Sequence, residues 1–270
     1  MHYGDGLFET LLCSSGKLYY WQKHFQRLSR SATRLGIPCP REETLLADIA
    51  ALLENNSTDC CAIKIILSRG SSERGYQYDK DITVRRIVML SAFDETHTSL
   101  LSGKTSRGML FLCENRVSIN PGIAGIKHLN RLENVLARNE WHNKPGPEIH
   151  QAYVDGIMLD NENRIIECTS SNIFTISDGR LSTPDLSLSG VSGVMREVTL
   201  EVAADIGIES SIGELSVEDM REMDEVFITN SLIGLKSIGG FLDTHYHEDG
   251  ITSAIIKAIK ASIEKHAHNL

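Results

Sequence analysis

The sequence contains no apolar run that approaches the roughly 20 residues a helix needs to cross a bilayer. It also shows no basic and apolar leader, because Met1 leads directly into Gly4-Asp5-Gly6. These two absences argue against a membrane protein and against a secreted one. We therefore expect a cytoplasmic protein without a membrane partner.

An excess of positive charge is missing as well. The net charge is −9, and the Lys and Arg residues are scattered, so no basic field exists to attract a phosphate backbone. The six cysteines have no CxxC spacing and form no dense framework, which favours reduced thiols over disulfides or a metal centre. We predict no nucleic-acid partner and no metal site.

The composition that is present is that of an ordinary globular protein, with 41% hydrophobic and 23% charged residues. A chain of 270 residues exceeds the usual size of a single core. The segment 117–126 contains Pro121, Gly122 and Gly125 and is the best candidate for a linker. We predict an N-terminal α+β domain over residues 1–116, this linker, and a C-terminal domain over residues 127–270.

Hydrophobic periodicity predicts both helices and strands in each half, without internal repeats or low-complexity tracts. A strand hairpin comes first, and the helix after it ends at Gly36-Ile37-Pro38. The predicted helices cover residues 22–35, 41–55, 129–141, 194–206 and 252–265, and the predicted strands cover residues 6–13, 17–21, 61–67, 86–93, 108–114, 151–159, 164–167, 172–176, 180–183 and 225–229.

Two residues of the second half suggest a chemistry when they are taken together. Lys127 lies where the linker meets a helix, and by its position alone it would be a solvated surface lysine. Glu167 ends an apolar strand before four small or polar residues, and alone it would be an edge-strand charge. A lysine amine can attack an aldehyde, however, and a carboxylate beside a pyridine nitrogen keeps that nitrogen protonated so that the ring accepts electrons.

A phosphate-binding element is suggested by the glycines that precede a helix at residues 190–197. Backbone N–H groups at a helix start are donors to anions, although joints of this kind are common. Arg27 has a helical spacing from Phe25 and Leu28 that fits a surface arginine at the edge of the core. Its guanidinium fork would also suit a phosphate dianion.

Several separated motifs then occur in one order along nearly the whole chain. They read GDGLFET, HxxRL, SRGSSERGY, GIKHLNRLENVLAR, ECTSSNIF and GVSGVMRE, from Gly4 to Glu197. This ordered set resembles the fold-type IV, or class IV, pyridoxal 5'-phosphate (PLP) enzymes, which include branched-chain and D-amino acid aminotransferases and aminodeoxychorismate lyases. The resemblance implies an α+β fold with a smaller N-terminal α/β domain and a larger C-terminal domain whose sheet is curved and barrel-like.

The resemblance also implies roles for individual residues. Lys127 occupies the position of the lysine that bonds the PLP aldehyde, and Glu167 that of the acid facing the pyridine nitrogen. Arg27 matches the phosphate-binding arginine. Two backbone amides and one hydroxyl would also bind the phosphate, those of Val194, Met195 and Ser231.

The same resemblance implies a homodimer and a further strand before Met1. We therefore expect either that Met1 corresponds to an internal start codon or that the protein has lost an edge strand. The loss of a strand would expose the backbone groups of its neighbour.

Within the family, the run from Lys127 to Glu133 and the loop 69–76 resemble the lyase members, which release 4-aminobenzoate and pyruvate from 4-amino-4-deoxychorismate in folate biosynthesis. The carboxylates of that substrate would bind cationic side chains, and the candidates are Lys64, Arg69 and Arg74. The alternative is that these three residues are loop charges exposed to solvent. Two other functions stay open. One is a D-amino or branched-chain amino acid transaminase, and the other is a PLP-binding protein without turnover.

Overall fold

The computed structural model describes residues 2–56, 58–71, 76–78, 82–142, 153–246 and 250–270. The chain forms two compact units, of which the first consists of residues 1–95, 126–130 and 263–270, and the second of residues 96–125 and 131–262. The bounds of these units differ from those of the predicted domains, because residues 96–116 belong to the second unit, whereas residues 263–270 and the segment 126–130, which contains Lys127, belong to the first.

The first unit is built on a five-stranded sheet in the order β14-β2-β1-β3-β4. Strand β1 pairs antiparallel with β3 along its whole length, from Gly6 opposite Ser68 to Ser14 opposite Cys60. Its elements are Gly6–Ser14 (β1), Lys17–Tyr19 (β2), Trp21–Leu35 (α1), Glu42–Glu54 (α2), Cys60–Ser68 (β3), Arg85–Ala92 (β4) and Ala267–Asn269 (β14).

Helix α1 follows directly from its sequence signals. It ends at Gly36, which adopts a left-handed conformation with φ of 62° and donates its N–H to Ala32 and Thr33, as a terminating glycine does. Its buried face packs with β1 and β3 in a core that includes Leu11, Leu28 and Ile65. The helix predicted over residues 22–35 is thereby confirmed, and the helix predicted over 41–55 is confirmed by α2.

The second unit contains a curled nine-stranded sheet in the order β10-β9-β8-β11-β12-β5-β6-β7, with β13 paired to β12. Four helices accompany it in the described part of the chain. Its elements are Ser99–Ser102 (α3), Gly108–Leu112 (β5), Leu132–His142 (α4), Tyr153–Leu159 (β6), Ile165–Cys168 (β7), Asn172–Ser177 (β8), Arg180–Pro184 (β9), Val194–Asp205 (α5), Ser210–Gly213 (β10), Glu225–Asn230 (β11), Gly234–Phe241 (β12), Thr244–His245 (β13) and Gly250–Ser262 (α6).

Strand β5 corrects one assignment made from the sequence. The strand predicted over residues 108–114 was assigned to the N-terminal domain, but β5 pairs in parallel with β12 on one side and with β6 on the other. Leu110 is buried there in the core of the second unit. Periodicity identifies a strand, but the partners of that strand depend on segments far away in the sequence.

Residues 126–130 belong to the first unit, because their backbone forms hydrogen bonds with the start of β1. Phe8 donates its N–H to the carbonyl of Lys127 at 3.0 Å, and Leu129 donates its N–H to the carbonyl of Gly6 at 3.0 Å. These bonds satisfy the side of β1 that faces away from β3. None of the helices in the described ranges is long and apolar enough to cross a membrane.

Candidate active site

Lys127 is fixed by its backbone and oriented by an aromatic ring. The two bonds to β1 hold the segment 127–129 in an extended conformation. The Lys127 Nζ atom then lies 4.2 Å from the centroid of the Phe8 ring, a distance at which the ring face attracts an ammonium group. Lys64 reaches the same ring, with its Nζ atom 5.3 Å from the centroid. The structure therefore brings Lys64 and Lys127 together on one side of β1.

Arg27 lies in a buried cluster with Glu9 and His24 on the opposite face of β1, since neighbouring strand residues point to opposite faces. Arg27 Nε donates to Glu9 Oε1 at 2.8 Å, and Arg27 Nη2 donates to the other oxygen. His24 Nδ1 lies 2.7 Å from Glu9 Oε2. Glu9 thus links the predicted phosphate-binding arginine to a histidine that the sequence analysis had not assigned a role.

Electrostatics in this cluster favour an anionic carboxylate and a neutral imidazole. Burial alone would raise the pKa of Glu9, but the Arg27 charge and the bonds from Arg27 and His24 outweigh it and lower that pKa to about 2. Burial lowers the pKa of His24, against the opposing effect of Glu9. The buried His24 Nε2 atom has no hydrogen-bond partner within the described ranges.

Glu167 lies in β7 and is 3% exposed. Its Oε2 atom accepts the backbone N–H of Val191 at 2.8 Å. Its Oε1 atom lies 3.8 Å from the Arg131 Nη1 atom. A buried carboxylate with an amide on one oxygen and a guanidinium near the other is held in place, and both contacts oppose the effect of burial on its charge.

The loop from Gly190 to Gly193 packs directly against this carboxylate. Gly190 has a φ of +77°, and an added Cβ would lie 2.7 Å from Ile166 Cγ2. The loop is also tied to Gly125, which donates its N–H to the Gly190 carbonyl at 2.9 Å and accepts the Ser192 N–H at 3.1 Å. Gly125 also forms a strand-like bridge with Val191, so the loop is held by both its neighbours within the second unit.

Helix α5 begins immediately after this loop, with Gly193 as its N-cap. The first N–H groups of a helix have no partner within it, and they include those of Val194 and Met195. Gly193 has no room for a side chain, because a Cβ there would lie 2.0 Å from Asn172 Oδ1. Asn172 Nδ2 in turn donates to the Val191 carbonyl at 2.9 Å. The helix start is therefore positioned by the strand that follows Glu167.

Ser231 lies in the turn between β11 and β12. Asn230 shapes this turn, because its Oδ1 atom accepts the N–H of Leu232 at 3.0 Å. The Asn230 Nδ2 atom donates to Ser171 Oγ at 3.2 Å and to the Ser170 carbonyl at 3.3 Å. The second unit thus connects Glu167, the start of α5 and the turn that bears Ser231 through the segment between β7 and β8.

The three predicted substrate-binding cations lie in different environments. Lys64 is exposed on β3. Arg69 is buried and bonded to both carboxylate oxygens of Asp5, at 2.5 and 2.9 Å, and to the carbonyls of Gly36 and Leu35. These bonds use four of its five N–H groups. Arg74 lies outside the described residues.

Asp155 is a residue of this region that the sequence analysis missed. It is buried and accepts hydrogen bonds from Thr169 Oγ1 at 2.5 Å and from Ser170 Oγ at 2.8 Å. Arg138 on α4 lies 3.5 Å from it. The only sequence signal was an acid inside an apolar strand, which indicates a satisfied buried group without indicating its partners.

Arg131 lies within the helix predicted over residues 129–141, and the sequence analysis assigned it no role at the site. Its side chain is only 16% exposed and it lies beside Glu167. Spacing along α4 could not reveal this contact, because Glu167 is distant in sequence.

Comparison with known proteins extends these observations. The model of the amino-transferase class IV family matches residues 6–239. An aminodeoxychorismate lyase of Vibrio harveyi is 36% identical over 239 residues, which cover 88% of this chain and 83% of that protein. A D-alanine aminotransferase of Listeria innocua serovar 6a is 26% identical over 260 residues, which cover 93% of this chain and 81% of that protein.

The fold is also similar to that of a solved structure. The crystal structure of 4-amino-4-deoxychorismate lyase from Pseudomonas aeruginosa superposes with a TM-score of 0.80 at 35% identity, covering 94% of this chain and 89% of that one. This likeness confirms the predicted fold class, an α+β chain with a smaller first sheet and a larger curled sheet.

Proposed function

This chain is a member of the class IV aminotransferase family, and from that membership we propose that it is a PLP-dependent lyase that converts 4-amino-4-deoxychorismate to 4-aminobenzoate and pyruvate. The observation that carries the proposal is the likeness to two aminodeoxychorismate lyases, at 36% and 35% identity over most of the chain. The reaction breaks a carbon–oxygen bond and belongs to folate biosynthesis.

The residues present fit PLP. A phosphate dianion suits a helix start that no side chain obstructs, and the cradle at Gly193 excludes even a Cβ. A protonated ring nitrogen needs a carboxylate as partner. Glu167 is such a group, because it is buried and already accepts an amide N–H. The amides of Val194 and Met195, the hydroxyl of Ser231 and the guanidinium of Arg27 would bind the phosphate, and the amine of Lys127 would bond the aldehyde.

PLP supplies an electron-accepting ring that takes up the electron pair left when the substrate's C4–H bond breaks. Lys127 is the group that removes this proton, since its amine becomes a base once the substrate amine has taken its place. The bond between the substrate's own ring and its enolpyruvyl oxygen then breaks. Lys127 returns the proton to the methylene carbon of the departing group, which gives pyruvate and leaves the aromatic 4-aminobenzoate.

Glu167 acts on the cofactor and not on the substrate. As a carboxylate it would accept the N–H of the ring nitrogen, and the Val191 amide holds its other oxygen in place. The substrate carboxylates need a cation as partner. Lys64 is the better supported candidate, because its ammonium lies at the Phe8 ring beside Lys127, whereas Arg69 is engaged with Asp5.

A transaminase that acts on D-amino or branched-chain amino acids is the second candidate. The likeness to the Listeria D-alanine aminotransferase favours it, although the identity there is 26%. An assay with D-alanine or a branched-chain amino acid and 2-oxoglutarate separates the two functions. Transfer of the amino group without formation of 4-aminobenzoate would identify the transaminase.

The resemblance to this family also supports a homodimer in the cytoplasm. All six cysteines are free thiols in the structure, which is consistent with a reducing compartment. Light scattering of the purified protein should give twice the chain mass of 30.0 kDa.

The experiment that tests the cofactor lysine compares Lys127→Ala with Lys257→Ala, which alters an exposed lysine of α6. Borohydride reduction followed by peptide mass analysis should find the cofactor on Lys127 in the wild type and in Lys257→Ala, and nowhere in Lys127→Ala. Pyruvate formation should be lost with it. Retention of both signals in Lys127→Ala would remove this residue from the reaction.

A further inference from the structure

We propose that Arg131 is a positioning residue that keeps Glu167 in its carboxylate form and directs it toward the ring nitrogen of PLP. The inference rests on the proposed PLP-dependent function and adds to it a residue with no assigned role. The Arg131 Nη1 atom lies 3.8 Å from Glu167 Oε1, and the two side chains are 16% and 4% exposed.

Burial makes such a partner necessary. A carboxylate removed from water loses hydration that favours its charged form, and only hydrogen bonds and nearby positive charges replace it. The Val191 amide provides a hydrogen bond to Oε2. Arg131 provides a full positive charge near Oε1, which is a larger electrostatic contribution than that of an amide dipole.

The distance explains why Arg131 would assist the carboxylate without occupying it. A separation of 3.8 Å exceeds a hydrogen bond, so the guanidinium acts on Oε1 through its charge. In the proposed role the carboxylate accepts the N–H of a pyridinium ring, and Arg131 contributes its charge from the side of Oε1. Neutral Glu167 would instead present a hydroxyl and would no longer stabilise the protonated ring.

The surrounding contacts fix this arrangement. Arg131 immediately precedes α4, whose first turn is attached to the segment after Glu167 by a bond from Asn134 Nδ2 to the Thr169 carbonyl at 3.1 Å. Arg138, further along the same helix, contacts Asp155 and not Glu167. The segment 131–138 therefore carries the proposed positioning residue just before α4 and a matched control arginine on α4 itself.

The test uses PLP-loaded full-length protein and the variants Arg131→Met, Arg131→Lys, Arg138→Met and Glu167→Gln, together with the double variant Arg131→Met/Glu167→Gln. Four quantities are measured: the Kd of PLP, kcat, KM and the melting temperature. Arg131→Met should lower kcat about tenfold, because the carboxylate that supports the electron-accepting ring loses its charged partner, with KM changed less than about twofold. Arg131→Met should also weaken PLP binding, and Arg131→Lys should recover part of both losses. Arg138→Met should retain the wild-type Kd of PLP, kcat and KM.

The double variant distinguishes action through Glu167 from an independent effect. In the Glu167→Gln background the further change Arg131→Met should alter kcat and the Kd of PLP by less than about twofold, because no carboxylate remains to be stabilised. Equal losses in both backgrounds would overturn the proposal. A rise in KM at unchanged kcat would also overturn it, because Arg131 would then be a substrate-binding residue. A fall in melting temperature that accounts for the loss of kcat, and that Arg131→Lys does not reverse, would overturn it as well.

Failure of this inference is distinguishable from failure of the proposed function. A wild-type protein that binds no PLP would contradict both. A wild-type protein that binds PLP and turns over, with an unchanged Arg131→Met variant, would contradict only the role of Arg131.

Discussion

Glu9 and Arg27 form a buried ion pair with two hydrogen bonds, and the bond from Arg27 Nε to Glu9 Oε1 measures 2.8 Å. Glu9 comes from β1 and Arg27 from α1. The pair therefore fixes the orientation of a guanidinium that the family resemblance assigns to the cofactor phosphate, and it does so from inside the core of the first unit.

This pair predicts a specific loss of stability in acid. The pKa of Glu9 is lowered from 4.5 to about 2 in the folded protein, so the contribution is fully present above pH 4.5 and is lost as the pH falls toward 2. Its size is on the order of 3 kcal/mol. Urea unfolding between pH 6 and 2 should show this decline, and Glu9→Gln should be less stable at pH 6 and should lose stability less steeply between pH 4.5 and 2. An unchanged pH profile in Glu9→Gln would contradict the assignment.

A second prediction concerns Glu167. Glu167→Gln keeps the shape of the side chain but removes the negative charge that we propose faces the ring nitrogen, so the ring would accept electrons less well. We expect the variant to retain measurable PLP binding and to lose most of its turnover, by about a hundredfold or more. PLP titration and a pyruvate assay measure the two quantities separately. Full turnover would exclude the proposed role.

The helix start at Gly193 provides a third prediction. Gly193→Ala would place a Cβ 2.0 Å from Asn172 Oδ1, so either the Asn172 side chain leaves its bond to the Val191 carbonyl or the first turn of α5 moves, and either change would disturb the proposed phosphate site. The Kd of PLP should rise about tenfold or more, because one charge-assisted bond contributes about 1.5–3 kcal/mol. Gly213→Ala is the control, since nothing lies within 4 Å of the added atom. Equal PLP affinities in the two variants would show that the helix start does not bind the phosphate.

Lys64 and Arg69 should behave differently when they are changed to alanine. Lys64 is exposed beside Lys127, so Lys64→Ala should raise KM about tenfold and leave the melting temperature unchanged. Arg69 bonds Asp5 and two carbonyls, so Arg69→Ala should destabilise the fold by about 2 kcal/mol. Steady-state kinetics and thermal unfolding of the two variants test this assignment. The reverse pattern would make Arg69 the substrate cation.

The sequence supported the local elements better than their assembly. The helix at 194–206 and the strands at 61–67 and 172–176 agree with α5, β3 and β8, because Gly193 precedes the helix and both strands are rich in β-branched residues. Strand β12 was missed, since its three glycines and its lysine weaken the strand pattern. It is nonetheless mostly buried, because pairing with β11 and β5 covers it.

The candidate site was predictable only where residues follow one another in a motif. Lys127, Glu167 and the Gly190 to Met195 loop each lie in such a run, and their roles stay predictions. Two contacts join segments that are apart in the sequence. One is the ion pair of Arg131 with Glu167, and the other is the hydrogen bond from Thr169 to Asp155. No periodicity or spacing indicates them, because they arise only when α4 and β6 pack near the end of β7.

The most direct measurement incubates the PLP-loaded protein with enzymatically prepared 4-amino-4-deoxychorismate and quantifies both products over time. The proposed function predicts equal amounts of pyruvate and 4-aminobenzoate, formed by the wild type and not by Lys127→Ala. Absence of both products, with amino-group transfer from D-alanine to 2-oxoglutarate by the same preparation, would contradict it.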